Sequence, residues 1–282
     1  MRIAKEITTT VTILLPVYNA GEYLRESVAS ALRQTYRSFE LLVIDDGSTD
    51  GCTDFLKNIG DRRIRLIRRR HDYIATLNYG LSSAKGKYIA RMDADDRMLP
   101  SRLARQVRVM EENPEIAVCS SYIRHVGGHA VYGGLSGTLK DYAPALLLGN
   151  FIVHPTVMLR TEYLREHKLR YRRNYIYAED YKLWTDIACL GGQLHIIPKP
   201  LLEYRISDKQ VSLTHSKEQA ETACRIRNEL LGYLIKHSVG RYAPPIRRLF
   251  SACANFNADG LMDDSEIFSL FYKLFTRINS QR

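Results

Sequence analysis

Nowhere in this 282-residue chain does an apolar run approach the roughly 20 residues that a membrane-spanning helix needs. Met1 to Thr10 carries charges but no apolar core and no cleavage pattern, so no signal peptide is expected. Cysteine is scarce. The five residues (Cys52, Cys119, Cys189, Cys224 and Cys253) are scattered, odd in number and spaced for neither a disulfide framework nor a metal-ligand pair. That usage suits a reducing compartment and points to a cytoplasmic protein. No Gly-x-Gly-x-x-Gly follows the first apolar run, which argues against a dinucleotide dehydrogenase. No zinc-finger spacing or RNA-binding motif accompanies the basic balance, so no nucleic-acid partner is expected. The formal net charge of +10 then reads either as solvated surface or as an attraction for anionic lipid or phosphate-bearing ligands. The hydrophobic fraction of 45% is ordinary for a globular protein, and the length allows one large domain or a domain with an appendage.

Of what is present, the stretch Tyr88-Ile89-Ala90-Arg91-Met92-Asp93-Ala94-Asp95-Asp96 is the most informative. A short apolar run, shaped like a buried strand, ends in three carboxylates within four residues. Like charges crowded at a buried strand tip are costly unless they share a cation. Oxygen-only ligands suit a hard divalent ion, Mn²⁺ or Mg²⁺, which commonly also holds substrate phosphates. The competing reading is an acidic turn that caps the next helix.

The surrounding pattern alternates. Val11 to Leu15 is a β-branched run stopped by Pro16, Phe39 to Ile44 and Ile64 to Ile67 are further strands, and Tyr88 begins a fourth. Glu22 to Arg33 and Tyr73 to Ala84 read as helices, with a short one around Phe55, Leu56 and Ile59. Pro100 to Glu112 is a helix and Ile116 to Cys119 a fifth strand. Gly127 to Gly149 is glycine-rich without periodicity, either a mobile active-site loop or an irregular connection. This alternation predicts an α/β fold, a Rossmann-like, mostly parallel sheet flanked by helices. Ligands of such sheets bind beyond the carboxyl ends of the strands. Pro16-Val17-Tyr18-Asn19, Asp45-Asp46 and Asp93-Ala94-Asp95 all lie there, and a shared binding site explains their convergence better than capping does.

Each cluster also has a local reading. Asp45-Asp46-Gly47-Ser48 is either an Asx turn or a carboxylate that accepts an N–H from a ligand base, with Tyr18 offering an aromatic face to the same base. One of Arg68, Arg69 or Arg70 could reach a diphosphate, the alternative being a solvated strand edge. Downstream, His154 introduces a strand-like run to Arg160. Leu183, Trp184, Ile187 and Ala188 then form the apolar face of a helix that ends at Gly191-Gly192. Glu179 and Asp180 lie in its first turn, where the helix dipole is expected to keep them ionised, as a cap or as a general base.

The order of these motifs resembles the inverting family 2 glycosyltransferases of GT-A fold. The resemblance rests on Leu15-Pro16-Val17-Tyr18-Asn19, Ser30-Ala31-Leu32-Arg33-Gln34-Thr35-Tyr36, Val43-Ile44-Asp45-Asp46-Gly47-Ser48-Thr49-Asp50 and Asn78-Tyr79-Gly80-Leu81. Ala84-Lys85-Gly86-Lys87-Tyr88-Ile89-Ala90, the Asp93-Ala94-Asp95-Asp96 cluster, His154-Pro155, Glu179-Asp180 and Leu202-Glu203-Tyr204-Arg205 complete it, from about Val11 to Ser212. It implies transfer of a sugar from a nucleotide-sugar donor, UDP-sugar favoured, to a hydroxyl of a saccharide or lipid-linked acceptor in surface polysaccharide or glycolipid assembly. It places Pro16, Tyr18, Asn19, Asp45, Asp46, Arg70, Asp93 and Ala94 on the donor side, with Pro16, Tyr18 and Asp46 at the base. Asp93 and Asp95 would hold Mn²⁺ or Mg²⁺, Asp180 would deprotonate the acceptor with Glu179 in support, and His154 and Trp184 would lie on the acceptor side. Many relatives carry a histidine where this chain has Ser207, so no metal ligand is assigned there, and His215 is a remote substitute.

The implied division is a catalytic domain over 1–212, with a nucleotide half to about 120 and an acceptor half beyond it, and a helical C-terminal extension over 213–282. Ala220 to Lys236, Arg241 to Phe256 and Glu266 to Ile278 are its helices. In the last, Ile267, Leu270, Phe271, Leu274, Phe275 and Ile278 make an apolar stripe. That stripe either meets the inner face of the cell membrane near a lipid-linked acceptor, docks on the catalytic domain, or joins a second subunit in a homo-oligomer. Two other functions compete. A sugar-nucleotide nucleotidylyltransferase would need a Gly-rich basic loop after the first strand, which is missing, and a non-catalytic scaffold would have no need of the acidic motifs.

Overall fold

The computed structural model describes residues 9–206, 214–238 and 242–279. Its centre is one ten-stranded sheet. Strands β1 (Val11–Val17), β2 (Phe39–Asp45), β3 (Ile64–Arg68) and β4 (Tyr88–Arg91) form a parallel half in the order β3-β2-β1-β4. Every residue of β1, β2 and β4 is buried, which is why these strands read as continuous apolar runs rather than alternating ones. The sheet continues through β9 (Met158–Arg160), β6 (Ile116–His125), β10 (Gln193–Tyr204) and β5 (Arg97–Met98). β7 (Val131–Tyr132) joins β6, and β8 (Gly137–Leu139) joins β10.

Helices cover both faces. Ile13 and Leu15 point to one cluster, which α1 (Tyr23–Leu32) and α3 (Arg102–Glu112) complete with Leu24, Val28, Leu103 and Met110. Leu14, Leu42 and Ile44 point to the other, shared with α2 (Tyr73–Ser83) and α5 (Glu179–Cys189) through Leu77, Leu183 and Trp184. Asp72 caps α2 by accepting the Ala75 N–H at 3.0 Å. A short α4 (Thr161–Glu166) follows β9.

Several elements differ from the sequence reading. β1 runs through Pro16 to Val17, because Pro16 lies beyond Leu14, the last β1 residue paired with β4, and so its missing N–H breaks no ladder there. β6 extends to His125. The sheet is mostly parallel as expected, with β10 parallel to β6 as well, but β9 runs antiparallel between β4 and β6. The glycine-rich 127–149 segment is neither loop alternative in full: it carries β7, β8 and a buried 3₁₀ turn at Pro144–Leu148.

The tail packs into the same core. Helices α6 (Ser216–Lys236), α7 (Ala243–Ala258) and α8 (Asp264–Asn279) contribute Ile226, Leu230, Ile246, Phe268, Phe271 and Phe275 to the cluster that holds Leu14 and Trp184. Asp263 and Glu266 exchange backbone-to-carboxylate bonds of 2.9 and 2.8 Å at the start of α8, a reciprocal cap. Its apolar stripe rests on the 144–148 turn and α6, so docking on the chain's own core covers that face. The expected boundary at 212/213 lies outside the described residues. Phe271→Ala, which empties a fully buried ring site, is expected to cost about 3–5 kcal/mol in urea unfolding. A midpoint unchanged within error would show that α8 is not part of the cooperative core.

Candidate active site

The first polar cluster forms where β1 and β2 end. Tyr18 is 49% exposed, and its ring stacks on His71 with centroids 4.1 Å apart. Asn19 adopts φ +48°, a left-handed conformation that Asn tolerates. Its Oδ1 accepts the Thr49 N–H at 2.8 Å and its own N–H donates to Ser48 Oγ, lacing the two loops together. Asp45 is an anchor. Its Oδ1 accepts the Ser48 N–H at 2.8 Å and its Oδ2 the Thr53 hydroxyl at 2.7 Å, which is the Asx-turn reading. Asp46, 1% exposed, accepts the Asp72 N–H and the Thr76 hydroxyl through Oδ1. Its Oδ2 lies 2.9 Å from His71 Nδ1 and has no other partner. Of the three arginines, Arg68 pairs with Asp54, Arg69 lies over the Tyr79 ring, and Arg70 is exposed just past the end of β3. His71, which sequence reasoning missed, thus joins Tyr18 to Asp46.

The second cluster follows β4. The Met92 N–H continues the β1 ladder by donating to Leu14 O, and Asp93 emerges next, a third exposed, with Ala94 half-buried beside it. Asp93 Oδ2 meets Arg91 Nη1 at 2.5 Å. Asp96 is fully buried. Its Oδ1 accepts the Arg205 N–H at 2.9 Å, and its Oδ2 has no hydrogen-bond partner. Arg205 also donates to Asp95 O at 2.9 Å and to Glu26 at 2.7 Å, and it covers the Tyr23 ring. The segment after β10 is thereby latched onto the acidic turn. Burial, with the Asp93 charge next, pushes Asp95 and Asp96 above the usual carboxylate range. An orphaned buried carboxylate oxygen within an all-oxygen set fits a hard divalent cation. No group of three or more His, Cys, Asp or Glu side chains among the described residues is already arranged around one. Ser207 lies outside the described residues, and His215 stacks on Tyr177 instead of approaching the carboxylates.

The third cluster opens α5. Tyr177 has φ +68°, unusual for a bulky side chain, and the helix begins two residues later. Glu179 is 7% exposed with an orphaned Oε2, and burial, with Asp180 second, pushes it up to about 7. Asp180 is raised too, chiefly by burial, although it accepts the Tyr181 N–H at 2.7 Å and the Asn150 amide at 2.9 Å. Desolvation therefore outweighs the helix dipole that was expected to keep both ionised. His154 Nε2 lies 2.8 Å from the Tyr171 hydroxyl, and burial with the nearby Arg91 charge holds it neutral. Trp184 corrects an expectation. It is fully buried in the sheet-facing core, so it has no surface to offer an acceptor and supports His154 by an edge contact.

Arg91 links the second and third clusters. It is 2% exposed, donates to the Tyr73 hydroxyl at 3.0 Å and pairs with Asp93. Its charge also favours the ionised forms of Glu179 and Asp180. The available signal was a lone cation inside a strand that otherwise read as apolar.

Residues 12–175, more than half of the chain, match the family model described as Glycosyl transferase family 2. An uncharacterized glycosyltransferase of Haemophilus influenzae is 37% identical over 240 residues, which covers 80% of this chain and 74% of that protein. An uncharacterized glycosyltransferase of Methanocaldococcus jannaschii is 30% identical over 225 residues, with 74% and 75% covered. Among solved structures, S. aureus TarS 1–349 in complex with UDP-GlcNAc superposes with TM-score 0.64 at 17% identity, over 90% of this chain and 84% of that one. The mannosyltransferase PcManGT from Pyrobaculum calidifontis, in complex with GDP-Man and Mn²⁺, gives TM-score 0.57 at 16% identity, over 94% and 86%. Against another S. aureus TarS structure the chain spans 44% of the length. By sequence match and by fold, the chain is a transferase with the GT-A fold that belongs to glycosyltransferase family 2.

Proposed function

We propose that the protein transfers a sugar from a nucleotide-sugar donor, UDP-sugar favoured, to a hydroxyl of a saccharide or lipid-linked saccharide, with inversion at the anomeric carbon. The observation that carries this reading is the convergence of the Tyr18–His71–Asp46, Asp93–Asp95–Asp96 and Glu179–Asp180 clusters at the carboxyl end of one sheet. Tyr18 and His71 offer an aromatic face for the base, and Asp46 Oδ2 an acceptor for its N–H. Pro16 and Asn19 shape the loop beneath, and Asp45 holds it in place. Arg70 reaches toward the diphosphate.

Asp93 and Asp95 would hold the Mn²⁺ or Mg²⁺. When bound, such an ion neutralises the diphosphate leaving group as a Lewis acid. Asp180 takes the proton of the acceptor hydroxyl on the opposite face of the sugar, and Glu179 and Asn150 keep it oriented. Neutral His154 is suited to donate to, or accept from, an acceptor hydroxyl. The nucleotide half to about residue 120 and the acceptor half beyond it divide these tasks.

Bound TarS and PcManGT supply the choice of ligands for the test. Calorimetric titration with UDP, and with GDP beside it, is expected to show UDP binding that needs Mn²⁺. The substitution Asp95→Ala should weaken it by a factor of 10 or more while leaving the unfolding midpoint close to wild type. Absence of binding by either nucleotide, with metal present and the protein folded, would overturn the donor site.

A further inference from the structure

A cleft separate from the convergence of carboxylates described above opens elsewhere among the described residues. It has a volume of about 1070 Å³ and lies between the 167–174 segment, α5 and α6. Small-molecule sites span roughly 300–1,000 Å³, so this cleft is sized for an oligomer rather than a single sugar. Five lysine or arginine side chains line it against two acids, Asp186 and Glu229. Both acids are already occupied. Asp186 pairs with Arg172 at 2.9 Å and Lys182 at 3.1 Å, and Glu229 pairs with Lys182 at 2.9 Å. Lys168 and Arg170 are exposed and make no side-chain ion pair among the described residues.

The basic wall is held in place before any ligand arrives. The Asn78 amide donates to Tyr171 O and accepts the Tyr171 N–H, each at 2.9 Å. Arg173 pairs with Asp72, and Arg225 donates to Asn174 O. A wall pinned along its length loses little conformational freedom on binding. The cleft is also tied to the chemistry, because Tyr171 lines it and shares a hydrogen bond with His154.

We infer that this cleft binds an anionic stretch of the acceptor glycan, sugars bearing carboxylate or phosphate groups, next to the residue that receives the transfer. The inference rests on the glycosyltransferase reading for its acceptor, but the cleft can be tested without the donor. Cations that lack internal partners attract anionic groups from solution, and an oligomer engages several at once. A neutral glycan gains none of this.

The test uses the full chain and three hexasaccharides in calorimetry: oligogalacturonate, singly phosphorylated maltohexaose and plain maltohexaose. At least one anionic hexamer is expected to bind at least tenfold more tightly than maltohexaose, and which of the two does so separates carboxylate from phosphate recognition. Charge reversal at two exposed positions, Lys168→Glu with Arg170→Glu, is expected to weaken that binding at least tenfold while Mn²⁺-dependent UDP binding stays within twofold. Equal binding of all three hexamers, no binding by any, or indifference to the charge reversal overturns the inference. Loss of UDP binding in the wild-type protein strikes the donor reading alone, because the hexamers report on the cleft independently.

Discussion

Asp180→Asn is expected to lower kcat by about 10²–10⁴ while leaving UDP affinity within twofold of wild type. Asparagine keeps the shape, and its single amide oxygen can still accept one of the two hydrogen bonds that Tyr181 N–H and the Asn150 amide donate to separate oxygens of Asp180, but it cannot take a proton. An affinity that falls along with kcat would mean that Asp180 supports the donor instead. Full activity with the native acceptor would remove it from the chemistry altogether. The pH profile adds a second, independent reading. Burial raises Asp180, so its basic form dominates only above that raised value, and activity is expected to fall as pH drops through it. The Asn150 amide favours the ionised carboxylate, so Asn150→Ala should raise Asp180 further and move the acid limb to higher pH. A limb that moves down, or stays put, contradicts this assignment.

Arg91→Met is expected to cost about 1.5–3 kcal/mol of stability, because the buried guanidinium gives up charge-assisted hydrogen bonds while solvent reaches the third-exposed Asp93 left behind. Asp93 loses a partner at 2.5 Å, and Glu179, already pushed up to about 7, loses a cation that favours its ionised form. Trp184 is the single tryptophan and is fully buried, so its fluorescence reports unfolding in urea without interference. Arg91→Lys separates charge from geometry. A lysine retains the charge but cannot reach Asp93 and the Tyr73 hydroxyl with a rigid fork, so it should restore part of the stability and less of the activity. A midpoint for Arg91→Met equal to that of wild type would show that the guanidinium carries no such burden.

The parallel half of the sheet was legible because three of its four strands, β1, β2 and β4, are buried on both faces and therefore read as near-continuous apolar runs. β10 was not. Pro198 and Pro200 interrupt it, and prolines demote a run that reads as a strand. The structure tolerates them through register shifts beside β6: Pro198 falls in the shift after Ile197, and Pro200 pairs with Tyr122 between two shifts. The fate of the α8 stripe was equally open, since periodicity shows that a face is apolar but not what covers it. Here the 144–148 turn covers it, supplied by a segment that looked structureless in isolation.

The candidate site divides along the same line. Which residue types stand at the strand ends, and that three polar clusters, two of them acidic, share one rim, follows from the sequence alone, because strand–helix alternation fixes where each strand must stop. What each carboxylate is free to do was decided by tertiary packing. Asp45 and Asp46 are neighbours of identical chemistry, yet both oxygens of Asp45 are taken by Ser48 and Thr53 while one oxygen of Asp46 faces His71 without another partner. Glu179 and Asp180 belong to a helix N-terminus that favours their charge, and burial reverses that preference. Hydrogen-bond occupancy and desolvation depend on groups from different elements, such as Arg91 beside Tyr73, 18 residues away, and His154 beside Tyr171, 17 away, and a local pattern carries neither.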